Sequence, residues 1–142
     1  MRFWDSSALV AILCREEGAG RAVRLLREDP GMVVWWATRI ECEAAVARRI
    51  REGRIPARSI PAVRRALEGI AENWYEVEPT PGVRERAVHL VRTHPLRTAD
   101  GLQLAAAIEH RDGDPRGFRF LSLDRRLAEA AALEGFEIVA LR

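Results

Sequence analysis

The chain contains no lysine and only two cysteines, one asparagine and one glutamine among its 142 residues. The cysteines, Cys14 and Cys42, lack C-x-x-C spacing, and each falls in an apolar stretch with helical spacing. A structural zinc site and a disulfide framework are therefore not expected, and a reducing cytoplasm fits this cysteine usage. All 23 basic residues are arginine, which fits either a GC-rich coding sequence or heat adaptation.

Long apolar runs are also absent, so we expect no membrane partner. The first residues resemble a signal peptide, but Asp5 interrupts the apolar stretch early and no small-residue cleavage site follows. We interpret them as a strand followed by a helix. The length fits one domain, predicted to span residues 1–142. A net charge of +2 is too small to indicate nucleic-acid binding by itself.

Short apolar runs alternate with longer helical patterns along the whole chain. The predicted strands are residues 2–5, 32–36, 75–79, 118–123 and 136–141. Predicted helices follow Ser6 or Ser7 and cover 21–29, 38–53, a segment from Pro56 to about 73, 82–94, 98–111 and 124–135. This alternation predicts an α/β fold with a parallel sheet between helical layers, and residues 38–73 form a helical hairpin.

Local patterns also predict how several helices begin. Thr38 and Glu41 have the T-x-x-E spacing of a capping box, and Thr98 is expected to cap its own helix. Ser6 or Ser7 is expected to cap the first helix. Trp35 and Trp36 lie in an apolar run, which favours core packing for both over stacking on bases.

Four acidic residues lie where an apolar segment ends or a helix begins: Asp5, Glu41, Asp100 and Asp124. Each alone is explained by favourable contact with a helix N-terminus. Together, at the carboxyl edge of a parallel sheet, they predict an oxygen-only site for a hard cation such as Mg²⁺ or Mn²⁺. A metal-dependent phosphodiesterase and a nucleotide-binding module both fit, although no phosphate-cradling glycine-rich loop supports the second.

The segments around these acids resemble the PIN-domain nucleases, and most of all the VapC toxins of bacterial type II toxin–antitoxin pairs. The matching segments are FWDSSALV, WWATRIECEAAVAR, HPLRTADGLQLAAA and FLSLDRRLAEAAALEGFEIV, which follow the family order over nearly the whole chain. One departure is Gly101, where alanine is more usual. The resemblance implies a three-layer α/β/α fold with strand order 3-2-1-4-5 and Mg²⁺- or Mn²⁺-dependent cleavage of RNA.

The resemblance also assigns roles to individual residues. The implied catalytic and metal-binding residues are Asp5, Glu41, Asp100 and Asp124. Asp5 and Asp100 would be the firmest metal ligands, Glu41 would complete the site or position water, and Asp124 would act through water or a second ion. Ser7 and Ser122 match supporting hydroxyl positions, and no other cofactor is implied. The implied reaction is in-line attack of metal-activated water on a backbone phosphate.

Partners follow from the same resemblance: an RNA substrate, a VapB-type antitoxin held by the helical hairpin, and a second copy of the chain in a homodimer. An RNA-processing PIN nuclease without an antitoxin, and a non-catalytic metal- or nucleotide-binding α/β module, remain as alternatives. Four arginines near the site either grip RNA phosphates or form solvated helix faces: Arg39, Arg48, Arg49 and Arg97. The three histidines are scattered, and no catalytic role is expected for them.

Overall fold

A computed structural model describes all residues, Met1–Arg142, around one five-stranded parallel sheet. The strands are β1 (Arg2–Trp4), β2 (Met32–Trp35), β3 (Tyr75–Val77), β4 (Arg119–Leu121) and β5 (Glu137–Val139). Their order across the sheet is β3-β2-β1-β4-β5, and every neighbouring pair is parallel. The predicted fold class and strand order are therefore confirmed.

Seven helices connect the strands, and each occupies a segment that the sequence predicts to be helical. They are α1 (Ser6–Cys14), α2 (Ala19–Glu28), α3 (Thr38–Arg51), α4 (Ile60–Ala71), α5 (Pro81–Thr93), α6 (Thr98–His110) and α7 (Arg125–Glu134). A short 3₁₀ turn, Ala57–Ser59, precedes α4. The pair α3 and α4 is the predicted helical hairpin. No helix has both the length and the apolar character needed to span a bilayer.

Two apolar cores lie on opposite faces of the sheet because successive strand residues point to opposite sides. Phe3 and Phe120 stack on one face, where α5, α6 and α7 cover them. Trp4 and Leu121 belong to the other core, which α1 to α4 cover. The carboxyl ends of the central strands β1 and β4 therefore open between two helical layers.

The predicted capping box at the start of α3 is wrong. The N-cap residue is Ala37, and no side chain caps this helix. Thr38 is fully buried and accepts a hydrogen bond from Gln103 instead, and Glu41 bonds to side chains of other elements. The T-x-x-E pattern does not form a capping box because residues far along the chain provide the hydrogen-bond partners of both side chains.

Two further predicted caps are also wrong. Asp5, not Ser6 or Ser7, is the N-cap of α1, where it accepts a hydrogen bond from the Ser7 N–H. Helix α6 begins after Arg97, and Thr98 makes no capping bond. The predicted burial of Trp36 fails as well: β2 ends one residue earlier, and Trp36 is 44% exposed. Trp35 is buried, as predicted, and Trp4 is fully buried as well.

Gly101 allows α5 and α6 to pack closely. A Cβ atom at this position would lie 2.6 Å from Cγ1 of Val91 and 3.7 Å from the Ala87 carbonyl oxygen. This approach explains why glycine stands where the resemblance leads one to expect alanine. The close packing against α5 also holds α6, the helix that carries Asp100, in position.

Candidate active site

The four acidic residues predicted from the sequence line one cleft of about 620 Å³ at the carboxyl edge of the sheet. Asp5 directly follows β1, and its N–H donates to the Leu121 carbonyl oxygen of β4 over 3.0 Å. Asp124 is the N-cap of α7, just beyond β4, and Glu41 and Asp100 lie in the first turns of α3 and α6. The topology therefore brings together side chains separated by up to 119 positions in the chain.

Two serines hold the Asp5 carboxylate. Its Oδ2 atom accepts hydrogen bonds from the hydroxyls of Ser7 and Ser122, the latter at 2.9 Å. Each hydroxyl also accepts a backbone N–H from the loop after β4: Leu123 donates to Ser7 at 2.8 Å and Asp124 to Ser122 at 3.0 Å. Because each serine oxygen accepts a backbone N–H, the hydroxyl protons are directed towards Asp5, and these hydrogen bonds favour its charged form.

Two residues that the sequence did not indicate hold Glu41. The Ser6 hydroxyl donates to its Oε2 at 2.8 Å, and the Gln103 amide donates to its Oε1 at 3.2 Å. The same Gln103 nitrogen donates to the Thr38 hydroxyl, also at 3.2 Å. Gln103 is fully buried, and its Oε1 atom has no partner. The available signal was one amide side chain, the chain's only glutamine, inside the otherwise apolar run 101–108 of α6.

Asp100 and Asp124 have freer carboxylates than Asp5 and Glu41. Asp124 caps α7: its Oδ1 accepts the Leu127 N–H at 2.9 Å, which leaves Oδ2 without a protein donor. Asp100 is half-buried in the first turn of α6. The open oxygens of these two side chains border the same cleft as Asp5.

This carboxylate cluster has no ion-pair partner, although the charge of Arg97 opposes the rise in the pKa of Asp100. None of the four acids forms an ion pair, although most other acids of the chain do. Burial raises the pKa of Asp5, Glu41 and Asp100 above their ordinary values, and the neighbouring carboxylates add to each rise. The serine hydrogen bonds oppose this effect on the pKa of Asp5 without cancelling it. Such a site favours a bound cation.

The donor chemistry fits a hard divalent ion. All four side chains supply carboxylate oxygens, and neither histidine nor cysteine is present in the lining of the cleft. The side chains do not form a ready-made cage, since no three His, Cys, Asp or Glu groups are arranged for ligation. An open set of carboxylates that retains water ligands is the arrangement typical of Mg²⁺.

The arginines near the site differ in their availability. Arg48 and Arg49 line the cleft, but Arg49 donates three hydrogen bonds to Glu16, at 2.7 to 3.0 Å. Arg39 pairs with Glu43 on its own helix. Arg97 borders a neighbouring cleft and takes part in none of the ion pairs of the chain. Among the histidines, His94 bonds to Glu134 at 2.7 Å, outside the cleft.

Comparison with known proteins is consistent with this geometry. The family model described as PIN domain matches residues 2–133. Two relatives from Mycobacterium tuberculosis, Ribonuclease VapC45 and Ribonuclease VapC49, are each 31% identical over 136 residues, which is 96% of this chain and 92% of the relative.

Solved structures share the fold. A toxin–antitoxin complex from Klebsiella pneumoniae aligns with a TM-score of 0.67 and 17% identity, over 100% of this chain and 98% of the other. The protein PAE2754 from Pyrobaculum aerophilum aligns with a TM-score of 0.69 and 19% identity, over 96% and 89%. By its family match and its relatives, the chain belongs to the PIN-domain family, as a member of the VapC type.

Proposed function

We propose that this chain is a Mg²⁺- or Mn²⁺-dependent endoribonuclease that hydrolyses RNA phosphodiester bonds. The observation that carries the proposal is the convergence of four carboxylates in one cleft without a basic partner. Relatives that bear the name ribonuclease at 31% identity support the choice of substrate.

Asp5 and Asp100 would hold the ion, with Asp124 contributing its free Oδ2 directly or through water. A divalent ion in this position supplies positive charge that lowers the pKa of water and neutralises phosphate oxygens. Asp5 is the best-fixed ligand because Ser7 and Ser122 hold one of its oxygens. Its other oxygen has only a 3.5 Å contact, from Ser6.

Glu41 has a different role from the two aspartates because both of its oxygens accept protein hydrogen bonds. Ser6 and Gln103 fix its orientation, so it is suited to position the attacking water or to receive the water's proton. Its pKa is raised by burial and by the charges of Asp5 and Asp100, which favours acceptance of a proton. We expect in-line attack on the phosphate and products with 5′-phosphate and 3′-hydroxyl ends.

We further propose that the enzyme is the toxin of a toxin–antitoxin pair, with a VapB-type antitoxin and a homodimeric assembly in the cytoplasm. Support comes from the VapC relatives and from the toxin–antitoxin complex that shares the fold. The alternative, an RNA-processing nuclease without an antitoxin, uses the same carboxylates. A small reading frame directly upstream that encodes a DNA-binding protein would favour the toxin.

The proposal is tested by inducing expression in a bacterial host and sequencing the 5′ ends of cellular RNA. The expected result is new 5′-phosphate ends at discrete positions and growth arrest. Both effects should be absent with Asp5→Asn. If an upstream reading frame encodes an antitoxin, its co-expression should suppress both effects of the wild type. Arrest without new RNA ends, or equal cleavage by Asp5→Asn, would refute the ribonuclease assignment.

A further inference from the structure

A second cleft adjoins the acidic one. Its volume is about 480 Å³, and it shares Asp100 and Asp124 with the first cleft. Three arginines line it, Arg97 before α6 and Arg125 and Arg126 at the start of α7. We call this the arginine cleft.

The two clefts carry opposite charge. The acidic cleft is lined by six carboxylates, the four site acids with Glu16 and Glu17, against three arginines. In the arginine cleft three guanidinium groups face only the two shared carboxylates. A polyanion is therefore attracted more strongly to the arginine cleft, where α6 and α7 begin, than to the acidic cleft.

The guanidinium groups of the arginine cleft are also free to bind. Arg97 and Arg126 form no ion pair, and Arg125 pairs only with Glu129 one turn along its own exposed helix face. Exposed pairs of this kind are weak and readily exchanged. In contrast, Arg49 on the opposite side is engaged by Glu16 through three hydrogen bonds. The predicted phosphate-gripping role therefore fits Arg97 and does not fit Arg49.

We propose that the arginine cleft binds the RNA backbone phosphates next to the bond that is cleaved. The strand would run from this cleft over Asp100 and Asp124 into the acidic centre, with Arg97 and Arg126 as the principal phosphate contacts. Arginine suits this task because its planar guanidinium binds phosphate oxygens in pairs. This inference rests on the proposed ribonuclease function and adds the path of the substrate.

The test compares two double variants that remove the same charge. Arg97→Ala/Arg126→Ala alters the arginine cleft, whereas Arg64→Ala/Arg65→Ala removes two exposed, unpaired arginines of α4 that line neither cleft. Both pairs are placed in an Asp5→Asn background so that the RNA stays intact. Binding of a fluorescein-labelled single-stranded RNA 12-mer is measured by anisotropy over a series of salt concentrations, and cleavage by the wild-type chain with Mn²⁺ is measured in parallel.

We expect Arg97→Ala/Arg126→Ala to weaken binding about tenfold. The slope of the logarithm of the binding constant against the logarithm of the salt concentration should become shallower by about 1.4, the contribution of two single-strand phosphate contacts. The α4 pair should leave both values nearly unchanged. Equal weakening by the two pairs, or no weakening by the first pair while the wild type cleaves, would refute phosphate binding in the arginine cleft. Neither result would contradict the proposed ribonuclease function. A wild-type chain that cleaves no RNA, together with an Asp5→Asn chain that binds none, would instead refute the proposed function.

Discussion

The side-chain nitrogen of Gln103, a fully buried residue of α6, donates a hydrogen bond to a carboxylate oxygen of Glu41 over 3.2 Å. Burying an amide is costly, and here its oxygen remains without a partner. The arrangement therefore serves the orientation of Glu41 better than it serves stability.

We predict that Gln103→Met lowers RNA cleavage by about tenfold or more, the effect of losing one hydrogen bond to a charged group. The variant should unfold at nearly the wild-type temperature, because the substitution also removes the unsatisfied oxygen. Thr38→Val, which removes the other Gln103 contact without touching Glu41, is the matched control and should reduce cleavage less. Wild-type cleavage by Gln103→Met would show that Glu41 needs no orientation from this side.

The metal-free protein should lose stability as the pH rises. The raised pKa values of Asp5, Glu41 and Asp100 mean that the folded state binds protons more tightly than the unfolded chain. Their contribution to stability is therefore fully present below the ordinary values of 3.8 and 4.5 and is lost as the pH rises through the raised values.

Asp100→Asn should accordingly melt several degrees higher than the wild type at pH 7 in EDTA, and the difference should shrink towards pH 4. Adding Mn²⁺ should stabilise the wild type more than the variant, because only the wild type keeps the ligand. Melting curves of both proteins across this pH range provide the measurement. A lower melting temperature for Asp100→Asn in EDTA at pH 7 would contradict the repulsive cluster.

Asp124 combines two roles that substitutions can separate. Asn is as good an N-cap as Asp, whereas Ala loses the bond to the Leu127 N–H. We predict that Asp124→Asn unfolds with a free energy no lower than that of the wild type, because it keeps the cap and relieves repulsion of Asp5 and Asp100, but cleaves RNA more slowly. Asp124→Ala should also cleave slowly and be about 1 kcal/mol less stable than Asp124→Asn, since both variants remove the same charge but only Ala loses the cap. Denaturant unfolding and cleavage assays on both variants decide the matter, and full activity of Asp124→Asn would exclude a role for its charge.

The contact between Gly101 and Val91 predicts that the effect of Gly101→Ala on stability changes sign when Val91 is shortened. Gly101→Ala alone should destabilise the protein by about 1 kcal/mol, because the new Cβ would crowd the Val91 methyl group. In a Val91→Ala background the same change should stabilise by about 1 kcal/mol, through the better helix propensity of alanine. A double-mutant cycle by chemical denaturation measures the difference. Equal effects in both backgrounds would mean that α5 and α6 are not in close contact here.

The sequence carries the fold and the acidic residues in different ways. Strand order follows from the family resemblance, and the alternation of helix and strand follows from short β-type runs such as MVVWW. The four acids were predicted because the ends of parallel strands meet at one edge. Gln103 and Ser6 were missed because their partner, Glu41, is 62 and 35 positions away in the chain, and no local pattern announces such a bond.

The capping residues of the helices were predicted wrongly for the same reason. Thr38 has the spacing of a capping residue, but it is buried against α6 and bonds to Gln103. Asp5 was predicted as a metal ligand and also proves to be the cap of α1, since its Oδ2 is close enough to accept the Ser7 N–H. Local propensity decided where helices exist, and contacts across the sheet edge decided what their first residues do.

The most direct test of the account is a Mn²⁺ titration of RNA cleavage by the wild type, Asp5→Asn and Asp112→Asn. The last variant removes an aspartate charge from a surface turn and serves as the matched control. The account predicts no cleavage in EDTA, saturable activation of the wild type and the control, and loss of at least about 100-fold in Asp5→Asn with an unchanged circular dichroism spectrum. Metal-independent cleavage, or an Asp5→Asn variant as active as the control, would contradict it.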